Sequence, residues 1–337
     1  MKILDIEKAV GHVLAHDMTK IVPGEFKGVK FKKGHIIKEE DIDKFKDMGK
    51  YNVYVLELDE NTLHEDDASK YIAKNTMGKN ISINEPSEGK ITFSSTVEGL
   101  LKIDVERLKK VNSVDNVIVA TLHNNTIVKK EQAVAATRII PLTIEKNALE
   151  KMSEYCDKKI ISVKEFKNKK VGIVVTGTEV FEGRIKDKFG PILENKIKHY
   201  GGQYMETIYA PDSKEKISEA IMKHIDSGCE IVLTSGGMSV DPDDVTPSSI
   251  KEVAKKVVTY GAPVLPGAMV MVGYRDNVSI LGIPGCGMYH STTVFDLVYP
   301  RMLADDEITR EEISGLGHGG LCMKCETCMY PICPLGK

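Results

Sequence analysis

The chain has 337 residues, 42% hydrophobic and 28% charged, with a formal net charge of −3 at pH 7. Such a length suits two domains and an appendage rather than one core, and the composition is that of a soluble globular protein. The near-neutral balance argues against a polybasic nucleic-acid or membrane-surface binder.

The first 150 residues alternate short strands with turns. PGEFKGVKFKKGHII (23–37) has lysines and glycines punctuating apolar positions, and EEDIDKFKDMG (39–49) predicts a short helix ended by Gly49. YNVYVLEL (51–58) alternates like a half-buried strand. EDDASKYIAKNTMG (65–78) has acids in its first turn and stops at glycine, as helices do. Strand-and-turn texture continues to about residue 145, and KNALEKMSEYCDKK (146–159) predicts a linking helix. The longest apolar runs (IIPLTI, VGIVV and APVLPGAMVMVG) fall far short of a membrane span. The amino terminus lacks the unbroken apolar core of a signal peptide, so a cytoplasmic location is expected.

After the linker the pattern changes. VGIVV (171–175) is a continuous apolar strand, KFGPILENKIKHYGG (188–202) a helix ended by two glycines, and YMETIYA a second strand. DSKEKISEAIMKHIDSG (212–228) predicts a helix capped by Asp212 or Ser213, with Ile217, Ala220, Ile221, His224 and Ile225 on one face. EIVLTS is a third strand, AMVMVGYRDNVSILGIPG a hairpin turning at DN, and MYHSTTVFDLVYPRML (288–303) a last helix, kinked or ended near Pro300. His224 and His290 are expected to be packed or half-buried helix residues. Alternating strand and helix predicts an open, largely parallel α/β sheet in three layers. The expected division is a β-rich region over 1–150, a helix and connector over 151–167, the α/β domain over 168–305 and a cysteine-rich tail over 306–337.

In a parallel sheet the loops that follow the strands share one edge, and ligands of open α/β proteins bind there. TGTE (176–179), APDS (210–213), SGGMS (235–239) and IPGCG (283–287) are four such loops. Glycine-rich turns leading into helices offer amides to a phosphate or oxyanion. Asp212 and Asp244 on the same edge suit a bridging cation, most simply Mg²⁺. The same residues also suit plain turns and helix caps, and four loops together favour a site. No phosphate-binding G-x-x-x-x-G-K-[ST], no H-E-x-x-H and no G-x-S-x-G occurs, and GLGHGG (315–320), which matches G-x-G-x-x-G, does not follow an apolar strand.

VVTGTEV, TSGGMSVDPDDVTP and GIPG, in this order and spacing, resemble the molybdopterin-binding domain of molybdenum-cofactor biosynthesis proteins over roughly residues 168–305. The resemblance implies a site for the terminal phosphate of molybdopterin or adenylyl-molybdopterin. It implies that Gly236, Gly237, Met238 and Ser239 form the phosphate loop and that Asp244 is the essential acid before V-T-P. Asp212 matches an acid after the second strand. Gly177, Thr178, Glu179, Pro284 and Gly285 match the remaining walls. The β-rich half is similar to the extra domains of the molybdate-inserting, molybdotransferase-like branch, whose members are typically dimers. That branch usually has G-D-E-L where this chain has GTEV, and P-G-N-P where it has Pro284-Gly285-Cys286-Gly287.

The tail ends LCMKCETCMYPICPLGK, placing Cys322, Cys325, Cys328 and Cys333 as C-x₂-C-x₂-C-x₄-C-P. In a cytoplasmic chain with seven cysteines this predicts a metal site, an Fe–S cluster or Zn²⁺, rather than disulfides. His318, in the glycine-flanked GLGHGG, is expected either as a spare ligand or as part of a plain flexible linker.

Three functions are compatible with these features. One is an enzyme that inserts molybdate into adenylyl-molybdopterin with Mg²⁺, releases AMP and serves a molybdoenzyme client. The second is a non-catalytic carrier or sensor with a redox- or metal-responsive tail. The third, ranked last, is a nucleotide pyrophosphatase of the pyridine-nucleotide salvage type.

Overall fold

The computed structural model describes residues 2–22, 24–55, 61–140 and 142–337. The chain divides into two compact units: residues 1–97, 101–124 and 128–163 in the first, and 98–100, 125–127 and 164–337 in the second. Among the described residues no helix is long and apolar enough to cross a membrane.

The first unit is built from short strands, as its sequence predicts, around two apolar clusters. Phe31 and Phe45 stack with centroids 4.3 Å apart within a cluster of residues 6–55. The second cluster gathers Ile72, Phe93, Leu101, Val119 and Ile139. The helix Glu65–Thr76 forms as expected. In the strand read at 51–58, Asn52–Val55 is extended and 56–60 lie outside the described residues. The predicted linking helix runs only over Lys146–Glu154. It buries Leu149 and Met152 in the second cluster, because an amphipathic helix must cover its apolar stripe.

The second unit holds a six-stranded sheet. Its strands are β1 (Lys170–Thr176), β2 (Gln203–Ala210), β3 (Ile231–Ser235), β4 (Lys256–Tyr260), β5 (Met271–Arg275) and β6 (Val278–Ile283), in the order β2-β1-β3-β6-β5-β4. β2, β1, β3 and β6 are parallel neighbours, while β5 and β4 add antiparallel ladders. The sheet is therefore mixed, a correction to the largely parallel expectation. Its cause is the hairpin at Asp276-Asn277, where Asp276 takes φ +51° and returns the chain directly.

The helices are α1 (Thr178–Phe181), α2 (Phe189–His199), α3 (Lys214–Asp226), α4 (Thr246–Val253), α5 (Val294–Leu303) and α6 (Arg310–Gly315). α2, α5 and α6 pack with Val171, Ile173 and Leu233 in one cluster, and α3 and α4 with Val174, Val232 and Ile280 in another. Burial on both faces explains why β1 is uninterruptedly apolar. Gly172 is required because a Cβ there would run into the His224 ring. His224 is fully buried on α3 as expected, and its Nε2–H donates to Ile173 O at 2.9 Å. Ser213 caps α3 through Lys216 N.

The last helix departs from expectation. It starts at Val294, not Met288, because Thr293 and Asp296 form a capping box that fixes its first turn. His290 is consequently an exposed loop residue. Pro300 lies inside α5, which continues to Leu303. Asp296 is buried and accepts from Lys196 Nζ at 2.6 and 2.8 Å, from Tyr200 OH at 2.9 Å and from Thr293 N at 2.8 Å.

Candidate functional site

Because β1 lies between β2 and β3, the chain's direction of winding reverses between β1 and β3, where open α/β sheets form their ligand crevice. The loops following β1 and β3 meet there. Gly236 and Gly237 take φ +91° and +53°, values that favour glycine. A Cβ on Gly236 would collide with the Thr176 carbonyl, and one on Gly237 would lie 2.9 Å from Thr246 Oγ1. Beneath the loop the Thr176 and Thr246 hydroxyls lie 3.2 Å apart, and Thr246 N donates to Gly237 O at 3.2 Å. The loop is thus a bare backbone cradle resting on two threonines. Ser235, immediately before it, is fully buried, and among the described residues its hydroxyl has no hydrogen-bond partner.

Met238 is buried, and a Cβ on Gly282 would meet its Cε at 2.6 Å. Its side chain anchors the loop in the core, leaving only its backbone to serve a ligand. Ser239 is exposed. Tyr260 OH lies 2.8 Å from Met238 O and 3.1 Å from Ser239 O. A phenol has one proton, so these carbonyls share it. Burial, and then the Asp244 carboxylate, push the phenol's ionisation up and keep it a donor.

Asp244 is half-buried, and its Oδ2 accepts from Asp241 N at 3.0 Å. Asp212, also half-buried, is engaged more fully: Oδ2 accepts from Thr178 N at 2.8 Å and from Thr178 Oγ1 at 3.0 Å. In return Thr178 Oγ1 accepts from Asp212 N at 3.1 Å. The residue standing where the resembling branch usually has an acid thus ties the first loop to the second. Gly177 takes φ +137° at this turn, while Glu179 is exposed at the start of α1. Pro284 is buried and Gly285 exposed at the 3₁₀ turn after β6, where burial pushes the Cys286 thiol up.

Among the described residues no three His, Cys, Asp or Glu side chains converge on one ion. Mg²⁺ requires only one or two protein carboxylates beside phosphates and water. Asp212 and Asp244 each give one oxygen to the protein donors described and fit that demand. The tail cysteines are free thiols lining a single cavity of about 270 Å³. Among the described residues they are not drawn together around an ion or cluster. His318 is exposed and outside the cavity lining, which includes His290.

Sequence reasoning missed Ser235, Thr176, Thr246 and Tyr260 as parts of the site. The first three stood inside the quoted motifs, Thr176 and Ser235 as the first residues of two of the four loops and Thr246 at a helix start, without a role of their own. Tyr260 carries no local signal, because its partners are 22 and 21 residues away.

The second unit is thus an α/β domain with a side-chain-free glycine turn and carboxylates on the loops at one edge of its sheet. Residues 172–304 match the family described as "Probable molybdopterin binding domain", so this segment is a molybdopterin-binding domain of the molybdenum-cofactor biosynthesis type. Residues 4–57 match a family described only as a domain of unknown function. The chain is 27% identical over 122 residues to a molybdopterin molybdenumtransferase of Staphylococcus epidermidis, covering 34% of this chain and 29% of that protein. It is 35% identical over 77 residues to a CinA-like protein of Mycolicibacterium gilvum, covering 23% and 18%. A molybdopterin adenylyltransferase of Pyrococcus furiosus is 29% identical over 105 residues, covering 31% and 62%. The chain therefore spans less than a third of the molybdenumtransferase and less than a fifth of the CinA-like protein.

Proposed function

We propose that the second unit binds adenylyl-molybdopterin by its terminal phosphate and inserts molybdate with release of AMP. The observation that carries this reading is the side-chain-free cradle of Gly236 and Gly237, where neither position has room for a Cβ. Amides of 236–239 and the Ser239 hydroxyl would hold the phosphate as preorganised donors. Gly177, Thr178, Glu179, Pro284 and Gly285 would wall the pterin. Asp244, with Asp212 assisting, would hold Mg²⁺, which neutralises phosphate charge when bound. Asp244 would also orient the adenylyl phosphate, and Asp212 through Thr178 would keep the first two loops together. A dimeric assembly, a cytoplasmic setting and a molybdoenzyme client belong to the same proposal.

The test is a single-turnover assay of anaerobically purified protein with adenylyl-molybdopterin, Mg²⁺ and molybdate. Molybdate-dependent AMP release is expected, and Asp244→Asn should lower it by at least about a hundredfold, the scale of losing an electrostatic catalytic group, with the fold intact. Unchanged release in that variant would remove Asp244 from the mechanism. One observation favours the carrier reading: Thr178 replaces an acid and occupies Asp212. Tight binding without AMP release would decide for it.

A further inference from the structure

The cysteine tail is held at both ends. Leu321 bridges Leu265, with Cys322 N donating to Leu265 O at 2.8 Å and Leu265 N to Gly320 O at 2.8 Å. At the far end Leu335 is buried and Gly336 N donates to Gly319 O at 3.0 Å. In between, Tyr330 OH donates to Asp296 O at 2.9 Å. The segment is a closed loop laid on the second unit. Its Cys322 and Cys333 pack against the unit's larger core, and Cys325 and Cys328 are exposed.

All four sulfurs, with Thr292 and His290, line the cavity of about 270 Å³. One sulfur accepts a hydrogen bond and a second shares one with a hydroxyl. Lys324 N donates to Cys322 Sγ at 3.5 Å, across a turn in which Lys324 takes φ +53°. The Thr292 hydroxyl lies 3.2 Å from Cys328 Sγ. Hydrogen bonds to sulfur are what stabilise a metal-bound thiolate and set its potential.

All four cysteines line one cavity, and among the described residues no three ligand groups stand close enough to hold a metal as they are, so sequence spacing is what distinguishes a single ion from a cluster. Two successive x₂ spacings and a closing Cys-Pro resemble the ferredoxin cluster run rather than paired zinc knuckles, with the last gap one residue longer than in that run.

We propose that Cys322, Cys325, Cys328 and Cys333 hold a [4Fe–4S] cluster. It would lie against the 289–292 segment that follows the Gly285–Met288 turn. The proposal rests on the tail alone, so its failure would leave the pterin reading untouched.

The full chain, purified anaerobically and reconstituted with iron and sulfide, should carry about four irons and four sulfides. It should also show a broad visible band bleached by dithionite. Cys325→Ser and Cys328→Ser, both at exposed positions, should lose the band, whereas Cys156→Ser should keep it. Circular dichroism would confirm that each variant is folded. About one zinc per chain without sulfide would overturn the cluster. Failure to retain iron, or equal iron in the serine variants, would overturn the site.

Discussion

The ion pair of Lys196 and Asp296 offers the sharpest test of what holds the second unit together. Asp296 is 3% exposed, and both its oxygens lie within 2.8 Å of the ammonium. At an effective dielectric near 20 that separation bounds the attraction at about 6 kcal/mol. Asp296→Asn keeps the shape and still offers Tyr200 an acceptor, but it leaves the Lys196 charge without its counter-ion. The expected loss is about 3–5 kcal/mol, the usual cost of breaking a buried pair from one side. For a domain of this size that is roughly a 6–20 °C fall in melting temperature. The chain has no tryptophan, so unfolding is best followed by far-ultraviolet circular dichroism in urea. The double variant Lys196→Met with Asp296→Leu should recover only part of the loss, because the Tyr200 hydroxyl and Thr293 N–H would then lack an acceptor. A loss below about 1 kcal/mol for Asp296→Asn would refute the reasoning, since it would mean that Lys196 reaches water.

Two further outcomes follow from the geometry. Burial lowers the ionisation of His224, so its native form is neutral and its stabilisation is complete above about pH 6.5 and lost as pH falls below it, at up to about 1.4 kcal/mol per pH unit per proton; His224→Gln should flatten that slope in urea unfolding at pH 5–7. Gly237→Ala should cost about 1–2 kcal/mol for its left-handed backbone, with the Thr246 contact added, and should weaken binding of adenylyl-molybdopterin by about tenfold or more in calorimetry.

Legibility from the sequence followed the range of the interactions. β1 was readable because strands buried on both faces are continuous apolar runs, and the loops after β1, β2, β3 and β6 were readable because glycine and proline mark turns. The start of α5 was misplaced because MYHSTT looks helical until Thr293 and Asp296 close a capping box and the Lys196 ammonium, 100 residues away in sequence, fixes Asp296. The mixed sheet was half-visible: the DN hairpin was read correctly, but its consequence for strand direction was not drawn. Met238 was assigned to the phosphate loop on sequence position, whereas the absence of a side chain at Gly282 gives it a slot in the core. Tyr260 could not have been found, since nothing local distinguishes a tyrosine that bonds a distant loop carbonyl from one at a strand end.

The substitution of threonine at 178 and the engagement of Asp212 are best understood as one change. An acid at 178 would set two carboxylates side by side, each raising the other's pKa unless a cation lay between them. With threonine there, the hydroxyl and the amide both donate to Asp212 Oδ2, leaving Oδ1 for a cation. The cleft then carries one fewer negative charge, which eases approach of a phosphate and weakens attraction for Mg²⁺. The cradle at Gly236 and Gly237 is indifferent to this exchange, so phosphate binding should survive it. Under the proposed function, what threonine at 178 would put at stake is cation-assisted cleavage of the adenylyl phosphate, and the molybdate-dependence of AMP release would separate the enzyme from the carrier.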